Sequence, residues 1–269
     1  MLKKIVIGVL AFVIVLYGGL IAYLYVNQRA FFFNPAGETF DPAAVGIEAE
    51  IVTIPTTDSE VITGWYAPPA DDALPAILYL KGNTGSFSSE YERFQAFTKA
   101  GYGFLSVDYR GFPLSPGEIT EDHILADAIA AFDWLSGRED EIVVWGRSLG
   151  ASPATWVASQ READALLLET PFYSAVNVAA ERYPFVPVAW LMLDQFRTND
   201  WIGAVEEPVF LAHGTADRTV SVGNGERLYG EVPNPYALWI EEGADHSDLW
   251  ARGIWERAQT FFSEIEQGG

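Results

Sequence analysis

The chain has 269 residues, 49% of them hydrophobic, and carries 37 acidic against 16 basic side chains for a formal charge of −21. A surface this acidic repels phosphate backbones and anionic headgroups, which argues against nucleic-acid binding, and the hydrophobic content argues against disorder. There is no cysteine, so disulfides, thiolate catalysis, Cys-based zinc sites and palmitoylation are excluded.

From Ile5 to Val26 run 22 residues without a charge, about 33 Å as a helix and enough to cross a hydrocarbon core. Lys3 and Lys4 precede the run and Arg29 follows it. Positive charge on the short side predicts a cytoplasmic N-terminus and an extracytoplasmic bulk, periplasmic in a Gram-negative cell. A cleaved signal peptide competes with this reading. The run is longer than the usual apolar region of about 7–15 residues, and no small-x-small site precedes Tyr23-Leu24-Tyr25, so an uncleaved signal-anchor over residues 1–30 is expected. Residues 31–269 then suit one domain with a single large core. The aromatic stretch Phe31-Phe32-Phe33 is expected at the membrane interface or packed under that domain.

Residues 48–67 read as a strand pair split by the polar turn Thr57-Asp58-Ser59. Strands and helices then alternate. Short apolar strands are expected at 76–80, 103–108, 142–145, 165–168, 209–212 and 237–240. Helices are expected at 88–100 and 121–135, from 154 onward, and at 247–265. That rhythm predicts an α/β fold: a mostly parallel sheet with helices on both faces. One insertion, about 172–201, breaks it. It is twice the usual helix length, is interrupted by Pro184 and Pro187, and is rich in large apolar residues. It is either a pair of core helices or a small helical cap walling an apolar cleft; its place after the sixth strand favours the cap.

The chemistry centres on Gly146-Arg147-Ser148-Leu149-Gly150, which follows an apolar strand and precedes the small residues of a helix start. A serine on such a strand-to-helix elbow is exposed as a nucleophile, with the next backbone N–H free at a helix N-terminus. By composition alone a G-x-S-x-G arises in roughly one chain in ten of this length, so a base and an acid must be found. Parallel sheets collect their strand ends at one edge, where ligands bind. The strand 209–212 runs into His213-Gly214-Thr215-Ala216-Asp217, and the strand 237–240 into a loop ending Asp245-His246. The order Ser148, Asp217, His246 is that of a hydrolase triad. Of the three histidines, His123 starts a helix and His213 is expected to support its loop. Asp245, Asp248, Glu241 and Glu242 compete with Asp217, but Asp245 and Asp248 lie too close in sequence to reach the far ring nitrogen of His246. Backbone N–H groups of Leu149 and Asn83, the latter in Lys81-Gly82-Asn83-Thr84-Gly85, are the expected oxyanion donors. That glycine-rich loop lacks the spacing of a phosphate-binding loop. No metal-ligand spacing is present, and no cofactor is implied.

With Val107-Asp108-Tyr109-Arg110-Gly111, Ser115-Pro116-Gly117-Glu118, His213 through Val220 and Tyr183-Pro184-Phe185-Val186-Pro187, the chain resembles the membrane-anchored Bem-type α/β-hydrolases. These are bacterial relatives of the α/β-hydrolase domain-containing subfamily numbered thirteen. The resemblance implies the α/β-hydrolase fold and serine hydrolase chemistry on esters, thioesters or peptide-like bonds. The apolar insertion and the membrane segment favour a small acyl ester or lipid-like substrate. A peptidase or amidase with the same triad, and a non-catalytic tethered binding protein, are the rival readings. One departure is visible: Lys81 stands where that family usually has histidine, a position from which it could meet an anionic substrate. The oligomeric state is not readable from the sequence.

Overall fold

The computed structural model describes residues 1–57, 60–71 and 73–268; the turn expected at Asp58-Ser59 and the last residue of the 31–269 domain lie outside them. Helix α1 (Leu2–Phe32) runs unbroken through the uncharged stretch and two residues past its expected end. It is long and apolar enough to cross a membrane by length and composition, and none of its residues is buried. The chain is then pinned at once. Phe33 is 4% exposed and Asn34 forms a parallel bridge with Thr84.

The strands are β1 (Glu50–Pro55), β2 (Val61–Ala67), β3 (Ala76–Leu80), β4 (Gly103–Val107), β5 (Ile142–Arg147), β6 (Ala165–Glu169), β7 (Val209–Gly214) and β8 (Pro235–Glu241). They form one sheet in the order β1-β2-β4-β3-β5-β6-β7-β8, in which only β2 runs against the rest. Helices α2 (Tyr91–Lys99), α3 (Glu121–Ser136) and α4 (Ala151–Gln160) follow β3, β4 and β5. Between β6 and β7 lie α5 (Ala175–Arg182), α6 (Val188–Leu191) and α7 (Thr198–Ile202); α8 (Val222–Tyr229) and α9 (Ile254–Gly268) complete the chain.

Strand periodicity explains how one sheet supports two cores, since successive side chains point to opposite faces. On β3, Leu78 and Leu80 join the core with Ile124, Ala128 and Phe132 of α3 and Val157 of α4. Ile77 and Tyr79 join the other core, with Phe94 and Phe97 of α2 and Phe261 of α9. Strands buried on both faces must read as unbroken apolar runs, and Ala76–Leu80 does. Thr120 and Ser174 cap α3 and α5, their hydroxyls accepting from the N–H groups of His123 and Asn177 at 3.0 and 3.2 Å. Each removes one orphan donor from a helix start.

Sheet order and two-sided helix cover make this the α/β-hydrolase fold that the sequence predicts. Three details differ. The last helix starts at Ile254 rather than 247, because Gly253 takes φ 91° after a turn of 3-10 helix at Trp250–Arg252. Residues 88–90 belong to a 3-10 turn, Phe87–Glu90, before α2 begins. Helix α8 is unanticipated: Gly223 and Gly225 dilute its apolar period.

Candidate active site

The strand-to-helix elbow is dictated by space. A Cβ at Gly150 would overlap the Leu80 carbonyl, and one at Gly146 would overlap the Gly150 carbonyl and the Ala154 methyl. Glycine at both flanks lets the turn press against β3 and α4. Ser148 itself sits at φ 51°, a left-handed conformation costing on the order of 1–3 kcal/mol for a residue with a Cβ. The packing around it maintains the strain and presents the hydroxyl at the sheet edge.

Asp217 and His246 arrive from the ends of β7 and β8. The His246 ring lies between them, Nδ1 2.7 Å from Asp217 Oδ2 and Nε2 2.8 Å from Ser148 Oγ. A carboxylate only accepts, so Nδ1 carries the proton and Nε2 is bare to accept from the serine hydroxyl. Asp217 is fixed on its other oxygen by the N–H groups of Thr219 and Val220, both at 2.8 Å. Burial works to raise its carboxyl, but bonds from His213, His246 and the Val220 N–H outweigh it and hold the group well below the usual carboxylate range. His213 has the supporting part expected of it: buried, its Nε2 lies 2.9 Å from the Val220 carbonyl and 3.2 Å from Asp217 Oδ2. Asp245 points away from the ring and pairs with Arg218, Nε to Oδ2 at 3.0 Å, tying the β7 loop to the β8 loop.

Asn83 is held by the chain leaving α1. Its Nδ2 donates to the Phe32 carbonyl at 2.7 Å, its carbonyl accepts from Asn34 N–H at 3.1 Å, and Gly85 N–H donates to the Asn34 carbonyl at 2.9 Å. Leu149 follows Ser148 in the 3-10 turn Ser148–Gly150 that leads into α4, where first-turn N–H groups have no partner within the helix. Both residues line the groove beside Ser148. Lys81 does not. It is fully buried, donates to the Gly82 carbonyl at 2.9 Å and lies 3.7 Å from the centre of the Phe112 ring, so no anionic substrate meets it. Burial lowers its amine to about 8, against the opposing pull of Asp108 and Glu90.

Two cavities meet at Ser148, His246, Asn83 and Thr84. One, about 440 Å³, is polar and lined by Glu90, Glu92, Arg93, Arg147, Ser247 and Trp250. The other, about 580 Å³, is apolar, walled by Val178, Val186, Val188, Leu191 and Met192 from the β6–β7 connection and by Leu24, Phe31 and Phe32 of α1.

Behind the polar cavity stands an ion cluster that the sequence reading missed. Arg93 grips Glu169 through two bonds of 2.9 and 2.8 Å, and Trp145 Nε1 donates to the same carboxylate at 3.1 Å. Glu90 accepts from Tyr79 at 2.6 Å and pairs with Arg93 at 3.2 Å. Arg147, inside the serine pentapeptide, lies 3.6 Å from both carboxylates and donates to Ser247 Oγ at 3.0 Å, next to His246. Glu90 and Arg93 at i, i+3 were the available signal; their partners come from distant segments.

No family model matches the chain. It is 34% identical over 246 residues to the uncharacterized protein MT2364 of Mycobacterium tuberculosis, spanning 89% of this chain and 88% of that one. It is 29% identical over 188 residues to the lysophosphatidylserine lipase ABHD12 of Xenopus tropicalis, 61% of this chain and 48% of that protein. Among solved structures, the Pyrococcus furiosus esterase Pf2001 superposes with a TM-score of 0.68 at 23% identity, over 87% of this chain and 97% of that chain. At that identity the likeness speaks to the fold.

Proposed function

The chain belongs to the α/β-hydrolase family, and from that premise we propose that it is a membrane-tethered serine hydrolase of acyl esters or thioesters. The observation that carries this reading is the His246 ring held between Asp217 and Ser148 at 2.7 and 2.8 Å, beneath an apolar groove. Ser148 Oγ attacks the acyl carbonyl as His246 Nε2 takes its proton, and Asp217 steadies the imidazolium. Leu149 and Asn83 N–H groups receive the oxyanion. The leaving alkoxide or thiolate departs with the proton from His246, and water, activated by the same ring, releases the acid.

The apolar groove, with α1 as one wall, supports an acyl or lipid-like substrate; the names of the lipase and esterase it resembles agree with that class. The insertion at about 172–201 acts as the cap over that groove. Within the family we assign the chain to the Bem-type branch, on its motifs and on α1 as an uncleaved anchor. Lys3 and Lys4 lie on the cytoplasmic side and the hydrolase domain outside.

The test uses the full-length protein and its Ser148→Ala variant with a fluorophosphonate probe, followed by esters of graded chain length beside matched amides. Labelling of the native protein alone, with ester turnover, is the expected result. No labelling would sink the hydrolase reading, and amide turnover without ester turnover would make it a peptidase. Protease protection of the domain in intact cells, against degradation after permeabilisation, is expected of an outward topology only if an outer membrane shields it; in spheroplasts the domain is expected to be accessible.

A further inference from the structure

The connection between α5 and α7 contains a segment whose outer aromatic side chains no internal packing explains. Residues Tyr183–Leu193 include no charge. Val186, Val188, Leu191 and Met192 face the groove, whereas Phe185 and Trp190 do not line it and are 87% and 89% exposed. Large aromatics left this bare by a fold mark a surface that something apolar covers.

What covers them is indicated by where the segment lies. Tyr17 donates its hydroxyl to the Phe185 carbonyl at 2.7 Å, Gln28 donates to the Leu191 carbonyl at 3.2 Å, and Leu193 N–H donates to Gln28 Oε1 at 2.8 Å. Tyr17, Ile21, Leu24 and Gln28 recur at helical spacing along one face of α1, so the segment lies against that stripe. Tyr17 is nine residues N-terminal to Val26, the last of the uncharged run, a distance of about 13 Å along the helix. A loop touching Tyr17 therefore reaches about 13 Å into the apolar run of about 33 Å, within one leaflet.

We propose that Tyr183–Leu193 is a second membrane contact, an apolar wedge embedded beside α1 in one leaflet, and that the groove takes its substrate sideways from that leaflet. This rests on the serine hydrolase and anchor readings given above. The groove, walled by the same loop and by α1 from Leu24 to Phe32, leads from the domain end of the apolar run to Ser148. The cavity beyond Ser148 is lined by Glu92, Arg147 and Ser247, which would reject a second chain. The ligand that fits both is a single-chain ester amphiphile, its acyl chain toward α1 and its polar leaving group toward Arg147.

The absence of native cysteine allows clean spin labelling at introduced sites. Full-length Phe185→Cys, Trp190→Cys, Leu10→Cys in α1 and Ser136→Cys at the far end of α3 are labelled and reconstituted in phosphatidylcholine–phosphatidylglycerol vesicles. Their accessibility to oxygen and to a water-soluble nickel chelate is then measured. Labels at 185 and 190 are expected to match 10, open to oxygen and shielded from nickel, with 136 the reverse. Nickel access at 185 and 190 like that at 136 overturns the wedge, as does shielding from both reagents, which would mean cover by a second copy of the chain. Nickel access at 10 as well would fault the anchor reading instead.

The route is tested with the Phe185→Ser/Trp190→Ser double variant. A long-chain monoacylglycerol in vesicles is expected to lose at least tenfold in kcat/KM while aqueous p-nitrophenyl acetate is unchanged. An unchanged rate on the vesicle substrate overturns sideways entry. If both rates collapse, the substitutions have damaged the fold and the label depths decide alone. If the unsubstituted protein turns over neither ester, the hydrolase reading fails and the wedge is still decided by depth.

Discussion

On one side of Ser148 the wall is made of charges that cancel one another; on the other it is made of apolar side chains from α1 and from the short helices and loops facing it. Arg93 and Glu169 are 7% and 0% exposed and paired through two bonds, so that wall holds one geometry. Burial favours neither charge alone, and each is tolerated because the cluster supplies opposite charge and hydrogen bonds around it. The facing wall has little of this. Helix α6 is four residues long and none of them is buried. Its groove-facing side chains are apolar and its hydrogen bonds run through the backbone to Gln28 and Gln195, and such apolar surfaces repack around ligands of different length. Under the proposed function, such a site holds the reacting atoms and the leaving-group side fixed while the acyl side yields.

The contrast can be broken in order of effect. The largest is His246→Ala, which removes the group shared by both walls; turnover is expected to fall on the order of 10⁴–10⁶-fold, with the thermal unfolding midpoint within a few degrees of the parent. Next, Glu169→Gln removes the carboxylate held by two bonds and leaves the buried Arg93 and Arg147 guanidinium groups with Glu90 alone between them. A loss of about 3–5 kcal/mol is expected, read as a drop in Tm on the order of 10 °C. A drop of under two degrees would show that the charged wall is not a rigid support.

The third concerns Lys81. Its amine titrates near 8 when folded, against an ordinary 10.5. The unfolded chain therefore binds the extra proton between those values, and stability rises with pH across that window. Below about pH 8 both states are protonated and the slope vanishes. The gain is at most about 3 kcal/mol, and Tm measured from pH 7.5 to 10 should rise in the parent relative to Lys81→Met. The smallest effect tests the yielding wall: Ala179→Phe, on the groove side of α5, should lower kcat/KM about tenfold for long acyl chains, about the worth of a methylene or two, and spare acetate esters. Equal loss on both would mean that the acyl chain lies elsewhere.

The fixed side was the more legible part in one respect and the less legible in another. Ser148, Asp217 and His246 each stand just past an apolar run, and a parallel sheet must bring such ends together, so their meeting follows from local pattern. The ion cluster behind them does not. Glu90 and Arg93 share a helical spacing, but Arg147 and Glu169 come from other strands, and only folding shows that these three segments neutralise one another. Lys81 misled because position beside a glycine loop says nothing of direction; its side chain turns inward under Phe112. The start of α9 was overshot because apolar period continues through Gly253 while the backbone does not. The contact of Phe185 with Tyr17 had no sequence signal, joining positions 168 residues apart.

The bonds between Asn83 and the residues just past α1 bear on how a water-soluble form should be cut. Chains shortened to start at Phe31 retain the Phe32 carbonyl and both backbone bonds to Asn34. Starting at Asn34 forfeits the first and the Phe33 ring buried in the core, and starting at residue 36 forfeits all three bonds as well. A weak esterase recovered from the shortest form would then report a loosened Asn83 loop, and a choice of cloning boundary would pass for a property of the enzyme.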